Sequence, residues 1–303
     1  MRPHSLHPPD HPKLLREIQS LRRQVKHLTQ EIESIKATPR DDTSSVERML
    51  LARGIQLFRG NPTQKLFFPS DLSPMDRARF YEMMKKYSFR LILRDMIKHQ
   101  ERFYIQDLTH YCSPKVAQRY CNFLSERGMI VEHGKDRFRT LVSPLYSFGP
   151  TLEWFIAEMF KRELGSPAFY DVSVKKTVSG GDYDVIASWN RRLVYVEVKS
   201  SPPKGVEWRE VAAFFSRIDD LLPEVAILFN DTQLRMKDKL VPLVEDEMER
   251  RYGKVSKQIY PVARLVGELF HVRHRIFIIN SRRDVAENFS ICLRDHLRHG
   301  ERI

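Results

Sequence analysis

The 303-residue sequence predicts an α/β protein: a mixed sheet flanked by helices, preceded by a small helical module and, before that, a short coiled coil. Three observations carry this reading. The C-terminal half alternates β-prone apolar runs (Val185–Ser188, Leu193–Val198, Glu224–Phe229, Arg275–Asn280) with longer segments of helical spacing, the order that builds a sheet covered by helices. Residues 75–145 hold shorter helical segments and then two short strands joined by His133-Gly134-Lys135-Asp136, a hairpin turn. Near the N-terminus, Leu14, Ile18, Leu21, Val25, Leu28, Ile32 and Ile35 step alternately by four and three, an a/d heptad pattern.

Composition narrows the class. Hydrophobic residues make up 42% and aromatics 11%, enough for a buried core, so wholesale disorder is excluded. No apolar run approaches the roughly 18 residues that a membrane span needs, so no membrane association is expected. The N-terminus MRPHSLHPPDHPK lacks the apolar stretch of a secretory leader. Three cysteines (Cys112, Cys121, Cys292) are too few and too scattered for a disulfide framework or a zinc finger, which fits a reducing, cytoplasmic interior. With 51 Lys+Arg against 39 Asp+Glu the net charge is +12, and a polyanionic partner, nucleic acid above all, is expected. There is no GxxxxGK[ST] phosphate loop, so intrinsic ATP hydrolysis is not supported.

In chain order, residues 1–12 read as a disordered tail and 13–37 as the coil. Ile18, Val25 and Ile32 are β-branched at a, and leucines dominate d, which favours a parallel two-stranded coil; Glu17 would face Arg22, and Glu31 Lys36, across it. A homodimer through residues 14–35 is therefore expected. Residues 38–74 read as a linker carrying one short helix capped by Ser44 or Ser45.

The module at 75–145 reads as a helix (Phe89–His99), a short β-prone run (Arg102–Ile105), a second helix (Gln106–Cys112) and a third that Ser113-Pro114 starts and Gly128 stops. Strands Met129–Glu132 and Arg137–Val142 complete it. On the third helix Val116, Tyr120, Phe123 and Leu124 share one face, leaving Lys115, Gln118, Arg119 and Asn122 on the other. This order resembles a winged helix-turn-helix. The resemblance implies DNA contact through those four residues together with Lys135 and Arg137 on the wing. Between Met75 and Ser143, fourteen Lys/Arg against eight Asp/Glu give +6, half of the chain's excess. Winged helices also serve as protein–protein modules, and that alternative stays open here.

The chemistry lies in residues 179–201, SGGDYDVIASWNRRLVYVEVKSS. Two antiparallel strands turning at Asn190-Arg191-Arg192 bring Asp184 and Glu197 to neighbouring strand ends, and Lys199 shares the face of Glu197. Two carboxylates and an amine at one point invite a hard divalent cation and phosphoryl chemistry. The pattern Asp-(12 residues)-Glu-Val-Lys resembles the restriction-endonuclease-like superfamily, PD-(D/E)XK, and within it the archaeal Holliday-junction resolvase style of GxDxxA followed by ExK. The resemblance covers residues 148–230, with Tyr183 standing where the superfamily's name has proline. It implies a restriction-endonuclease-like domain over 146–303 and a Mg²⁺-dependent DNA endonuclease, with Mn²⁺ as a substitute ion. Asp184 and Glu197 would bind the metal, the Val198 carbonyl would complete its shell, and Lys199 would be catalytic. Glu153, on a helix expected over Leu152–Leu164, would be the superfamily's helix acid, with Glu158 and Glu163 as weaker substitutes. Asp182 reads either as a further ligand or as a turn residue. The competing reading is a DNA-binding regulator or scaffold on an inert nuclease fold. A motor or defence-system partner fits either reading, but nothing in the sequence identifies one.

Two histidine pairs, His271/His274 and His296/His299, have metal-like i,i+3 spacing but no thiol or carboxylate cluster beside them in sequence, and are expected to be solvated.

Overall fold

Apolar residues at alternate positions on both faces make the central strands bury completely, and the sheet forms around them. In the computed structural model, the described residues are Leu21, Gln24 and Val25, then 42–134, 136–142 and 145–300. The chain divides into two units, 1–44 and 45–303. In the first, Leu21, Gln24 and Val25 are helical and exposed; the rest of the expected coil, the 1–12 tail and Lys135 lie outside the described residues.

The second unit contains an eight-stranded mixed sheet in the order β1-β5-β6-β7-β8-β11-β10-β9. Strands β5 (Ala168–Lys175), β6 (Asp182–Trp189) and β7 (Arg192–Lys199) form an antiparallel meander. The β6–β7 connection is the two-residue turn Asn190-Arg191, both at positive φ, whose twist matches the strands it joins. Helix α6 (Trp208–Leu221) then crosses over to β8 (Val225–Asn230), which pairs parallel to β7 and to β11 (Ile276–Asn280). Strands β9 (Ala263–Val266) and β10 (Leu269–Val272) extend the sheet beyond β11, and β1 (Gln56–Arg59) closes the opposite edge on β5.

Helices cover both faces. One core joins Val185, Ala187, Val194, Val196, Val225 and Ile227 to α5 (Gly149–Glu163) and α9 (Val285–His299). The other joins Ile186, Leu193, Tyr195, Ala226 and Leu228 to α6, α7 (Leu240–Tyr252) and α1 (Asp42–Leu51), and the short α8 (Ser256–Ile259) follows α7. Each buried large side chain contributes about 1.5–3 kcal/mol of transfer free energy, which is why these alternating runs dominate the fold.

Residues 74–140 add α2 (Pro74–Met84), α3 (Tyr87–Lys98), a 3₁₀ turn (Ile105–Leu108) and α4 (Pro114–Ser125), with a small sheet ordered β2-β4-β3 (β2 Phe103–Tyr104, β3 Ile130–Glu132, β4 Arg137–Thr140). The helix expected over Gln106–Cys112 is only the 3₁₀ turn. The sequence reading names neither helix α2 nor strands β1, β9 and β10. Helix α2 starts at Ser73, whose side chain accepts from the Asp76 amide, with Pro74 at its first position. Strand β1 arises in the segment expected to be a linker with one short helix, and β9 and β10 precede the expected strand Arg275–Asn280. The module shares the apolar core of α5 and the sheet, with Phe80 against Trp154 and Tyr81 against Phe155, and a buried ion pair adds to this contact. Arg90 on α3 (1% exposed) meets Asp231 (0% exposed) just past β8, with Nε at 3.0 Å from both carboxylate oxygens. Nη2 donates to Asp231 Oδ1 at 2.9 Å and Nη1 to the Met84 and Lys85 carbonyls, so the buried charge is satisfied.

Candidate active site

The β6–β7 ladder ends at Val185–Val196, and Asp184 and Glu197 stand where the two strands part. Beyond that point β7 stays paired with β8, Glu197 opposite Leu228, while the Val198 N–H donates to Asp184 Oδ2 at 2.6 Å instead of to a neighbouring strand. On the other side of β6, the β5 ladder skips the position between Tyr170–Val185 and Val172–Tyr183, where Asp171 would meet Asp184. Asp171 has φ +45° and is 4% exposed, and the register on either side of it is unchanged, which sets it opposite Asp184. Lys65, from the segment before α2, reaches Asp171 at 2.7 Å.

Glu197 is 1% exposed and tightly held. Its oxygens lie 2.7 and 2.9 Å from Arg217 Nη1 and 3.0 Å from Lys199 Nζ, and the Tyr195 hydroxyl donates to it. Lys199 also meets Glu210 at 2.9 Å. Burial by itself would raise the Glu197 pKa; Lys199 and Arg217 outweigh it and hold the carboxyl below its ordinary value. Lys199 stays firmly an ammonium, because Glu197 and Glu210 more than offset the cost of its burial.

Asp184 and Glu153 behave oppositely. Burial, then the Glu197 charge, pushes Asp184 up to about 8. Glu153, on the second turn of α5, is pushed well above the carboxylate range by burial and by the charges of Asp184, Asp171 and Glu197, with Lys65 opposing. The four residues expected from the sequence, Glu153, Asp184, Glu197 and Lys199, are therefore electrostatic neighbours. Their negative charge is compensated at Glu197 and uncompensated at Asp184 and Glu153. A hard divalent cation would relieve that excess, so the donor set fits Mg²⁺ in chemistry.

Several partners escaped the sequence reading. Tyr195 shares the strand face of Glu197 at i−2, and Glu210 and Arg217 lie seven apart, on one face of α6; both spacings were available as signals. Asp171 and Lys65 had none, since the pairing register of β5 with β6 and a loop place them. Asp182 opens β6 but faces away into Ser173 and, at 3.6 Å, Arg59. Glu158 is occupied by Lys161 and Arg162, and Glu163 by Lys85 and Tyr81.

On α4, Tyr120 and Leu124 are buried, with Ala117 and Cys121 beside them, while Lys115, Gln118, Arg119 and Asn122 are exposed together. Gln118 donates to Asn122 Oδ1 at 2.9 Å. Arg137 is exposed on β4, its Nε donating to the His133 carbonyl at 2.6 Å.

The chain matches no protein-family profile and no curated protein in sequence. Two solved structures resemble it weakly. Protein VC1899 from Vibrio cholerae is 13% identical over 84% of this chain and 62% of that one, with a TM-score of 0.49. Can2 from Sulfobacillus thermosulfidooxidans, solved in complex with cyclic tetra-adenylate, is 11% identical over 61% of this chain and 50% of that one, with a TM-score of 0.39. The chain thus spans less than two thirds of either neighbour's length, and at such scores the chemistry is read from the site itself. Among the described residues, no helix is long and apolar enough to cross a membrane.

Proposed function

We propose that this protein is a metal-dependent endonuclease that hydrolyses phosphodiester bonds in DNA, on a restriction-endonuclease-like PD-(D/E)XK core with a winged-helix-like module for binding. The observation that carries this reading is the parting of β6 and β7 at Asp184 and Glu197, with Glu153 and Lys199 converging on the same point. Asp184 and Glu153, with Glu197 beside them, would hold Mg²⁺. When bound, the ion would neutralise charge on the phosphate oxygens and ease deprotonation of a water. The chain's own residues do the rest. Lys199, kept charged, orients a water or a phosphate oxygen rather than accepting a proton. Arg217 and Tyr195 fix the Glu197 carboxylate, and through it Lys199. The exposed Lys115, Arg119 and Arg137 supply phosphate contacts away from the chemistry.

The test is cleavage of linear, supercoiled, single-stranded and branched DNA by the purified protein with Mg²⁺ or Mn²⁺, beside Lys199→Ala, Asp184→Ala and Glu197→Ala. Cleavage by the wild type alone, with binding preserved in the variants, supports the assignment. Wild-type cleavage by the Asp184 or Glu197 variant removes it. The grip of Lys199 and Arg217 on Glu197 also suits an inert fold serving a DNA-binding regulator or scaffold; DNA binding without cleavage under every metal condition selects that second reading.

A further inference from the structure

The two histidine pairs that the sequence leaves as solvated meet in the fold. His271 lies on β10 and is 8% exposed; His274 lies in the β10–β11 turn; Asp295 and His299 lie one helical turn apart on α9. The carboxylate that seemed missing beside the first pair is Asp295, supplied by the helix that carries the second. His274 Nδ1 is 2.6 Å from Asp295 Oδ2, and the His271 ring stacks on His274 with centroids 4.0 Å apart. His299 sets its ring 4.9 Å from His274, on the solvent side. One ligand atom from each of His271, His274 and Asp295 lies within 4.8 Å of the others.

We propose that His271, His274 and Asp295, with His299 as the outer donor, form a binding site for one transition-metal ion of the zinc class, separate from the carboxylate site between β6 and β7.

The donor set decides the class of ion. Imidazoles with one carboxylate suit Zn²⁺ and its borderline neighbours, whereas Mg²⁺ takes oxygen. The backbone fixes where the His274 ring stands. Arg273 and His274 sit at φ +50° and +56°, with the Arg275 N–H bonded to the Val272 carbonyl at 3.1 Å, a tight turn that ordinarily calls for Asn-Gly. The turn is also anchored to the same helix, since His296 Nδ1 lies 2.9 Å from the His274 carbonyl. A simple His274–Asp295 hydrogen bond accounts for two of these residues but not for the second imidazole, His271, stacked on His274 and buried beside Phe277. His271 Nδ1 accepts the His274 N–H at 3.1 Å, and ligation through that nitrogen would exchange this bond for one to the ion. The ion would staple the last turns of α9 to the β10–β11 hairpin. On this face of the sheet α9 contributes Phe289, Cys292 and Leu293 to the core.

The experiment uses the full chain, stripped with a chelator and re-equilibrated with ZnCl₂ in excess Mg²⁺, so that an oxygen-ligand site is filled. Bound zinc is counted by mass spectrometry, its affinity measured by titration calorimetry, and the thermal midpoint recorded with and without zinc. The expected result is one tightly held Zn²⁺ per chain and a raised midpoint. His271→Gln/His274→Gln should weaken binding roughly tenfold or more and abolish the midpoint shift. The near-isosteric Asp295→Asn, which preserves packing should the double variant fold poorly, should weaken it as well. Because the N-terminal segment carries histidines of its own, His4→Gln/His7→Gln/His11→Gln should bind as the wild type does. A wild type that retains no zinc overturns the proposal. So does wild-type affinity in Asp295→Asn together with His271→Gln/His274→Gln, or loss of binding in the N-terminal variant.

Discussion

Asp184 shares a largely buried recess with two other acids, and its charged form suffers first from desolvation and then from Glu197. Its pKa of about 8 has a definite consequence for stability. An acid whose pKa rises on folding binds, in the folded state, a proton that the unfolded chain has released. That stabilisation is full below the unfolded carboxylate range and is lost as pH rises through about 8. Asp184→Asn keeps the shape and removes the titration. In EDTA, the variant should therefore gain on the wild type as pH climbs from about 5 to about 9, by on the order of 2–4 kcal/mol at the top of the range. Urea unfolding at several pH values measures the gap. A gap that stays constant with pH would mean that Asp184 is not the group being strained. Adding Mg²⁺ should narrow it, since a cation removes the strain by another route.

At the scale of elements, α4 and the β3–β4 hairpin present donors outward while Tyr120, Cys121 and Leu124 anchor them inward. Phosphate contacts made by long basic side chains release counterions, so Lys115→Glu/Arg119→Glu/Lys135→Glu should weaken DNA binding strongly and flatten its dependence on salt. Filter binding across a salt series reads both quantities, and an unchanged slope would assign this face to a protein partner. The elements also show what sequence pattern can and cannot reveal. Strands β6 to β8 were legible because alternation and apolar runs are local, and the spacing from Asp184 to Lys199 survives any packing. Helix α2 is equally local, since Ser73-Pro74-Met75-Asp76 spells its N-terminus. Asp171 was not legible at all, because its place opposite Asp184 is set by the β5–β6 register, which no local period states. The convergence of His271, His274 and Asp295 depends on β10 and α9 meeting across a loop and a strand, a non-local fact that i,i+3 spacing does not encode.

For the whole molecule, two couplings decide whether binding and chemistry act together. The first is internal: Arg90 on α3 grips Asp231, whose N–H donates to the Lys199 carbonyl at 2.8 Å, and Arg94 donates to the Ser200 carbonyl. The module that would meet DNA thus touches the strand that carries the lysine. Arg90→Met leaves Asp231 buried without its cation and should cost about 3–5 kcal/mol in urea unfolding; a loss within about 0.5 kcal/mol, the range of ordinary surface changes, would show the pair to be incidental. The second coupling is between copies. One site of this kind cuts one strand, so a double-strand break needs two sites or two visits. The heptads over residues 14–35 would bring two catalytic domains together at high effective concentration. A coil so short is marginal alone, which makes it sensitive to single charges in its seam. Deleting residues 1–37, or Leu21→Lys/Leu28→Lys, should therefore lower the mass seen by light scattering toward that of a monomer. On supercoiled plasmid the same variants should yield nicked circle where the full chain yields linear product, with the metal requirement unchanged. A truncated protein that stays dimeric would remove the coil from this account, and a full-length protein that is monomeric would remove the parallel dimer with it.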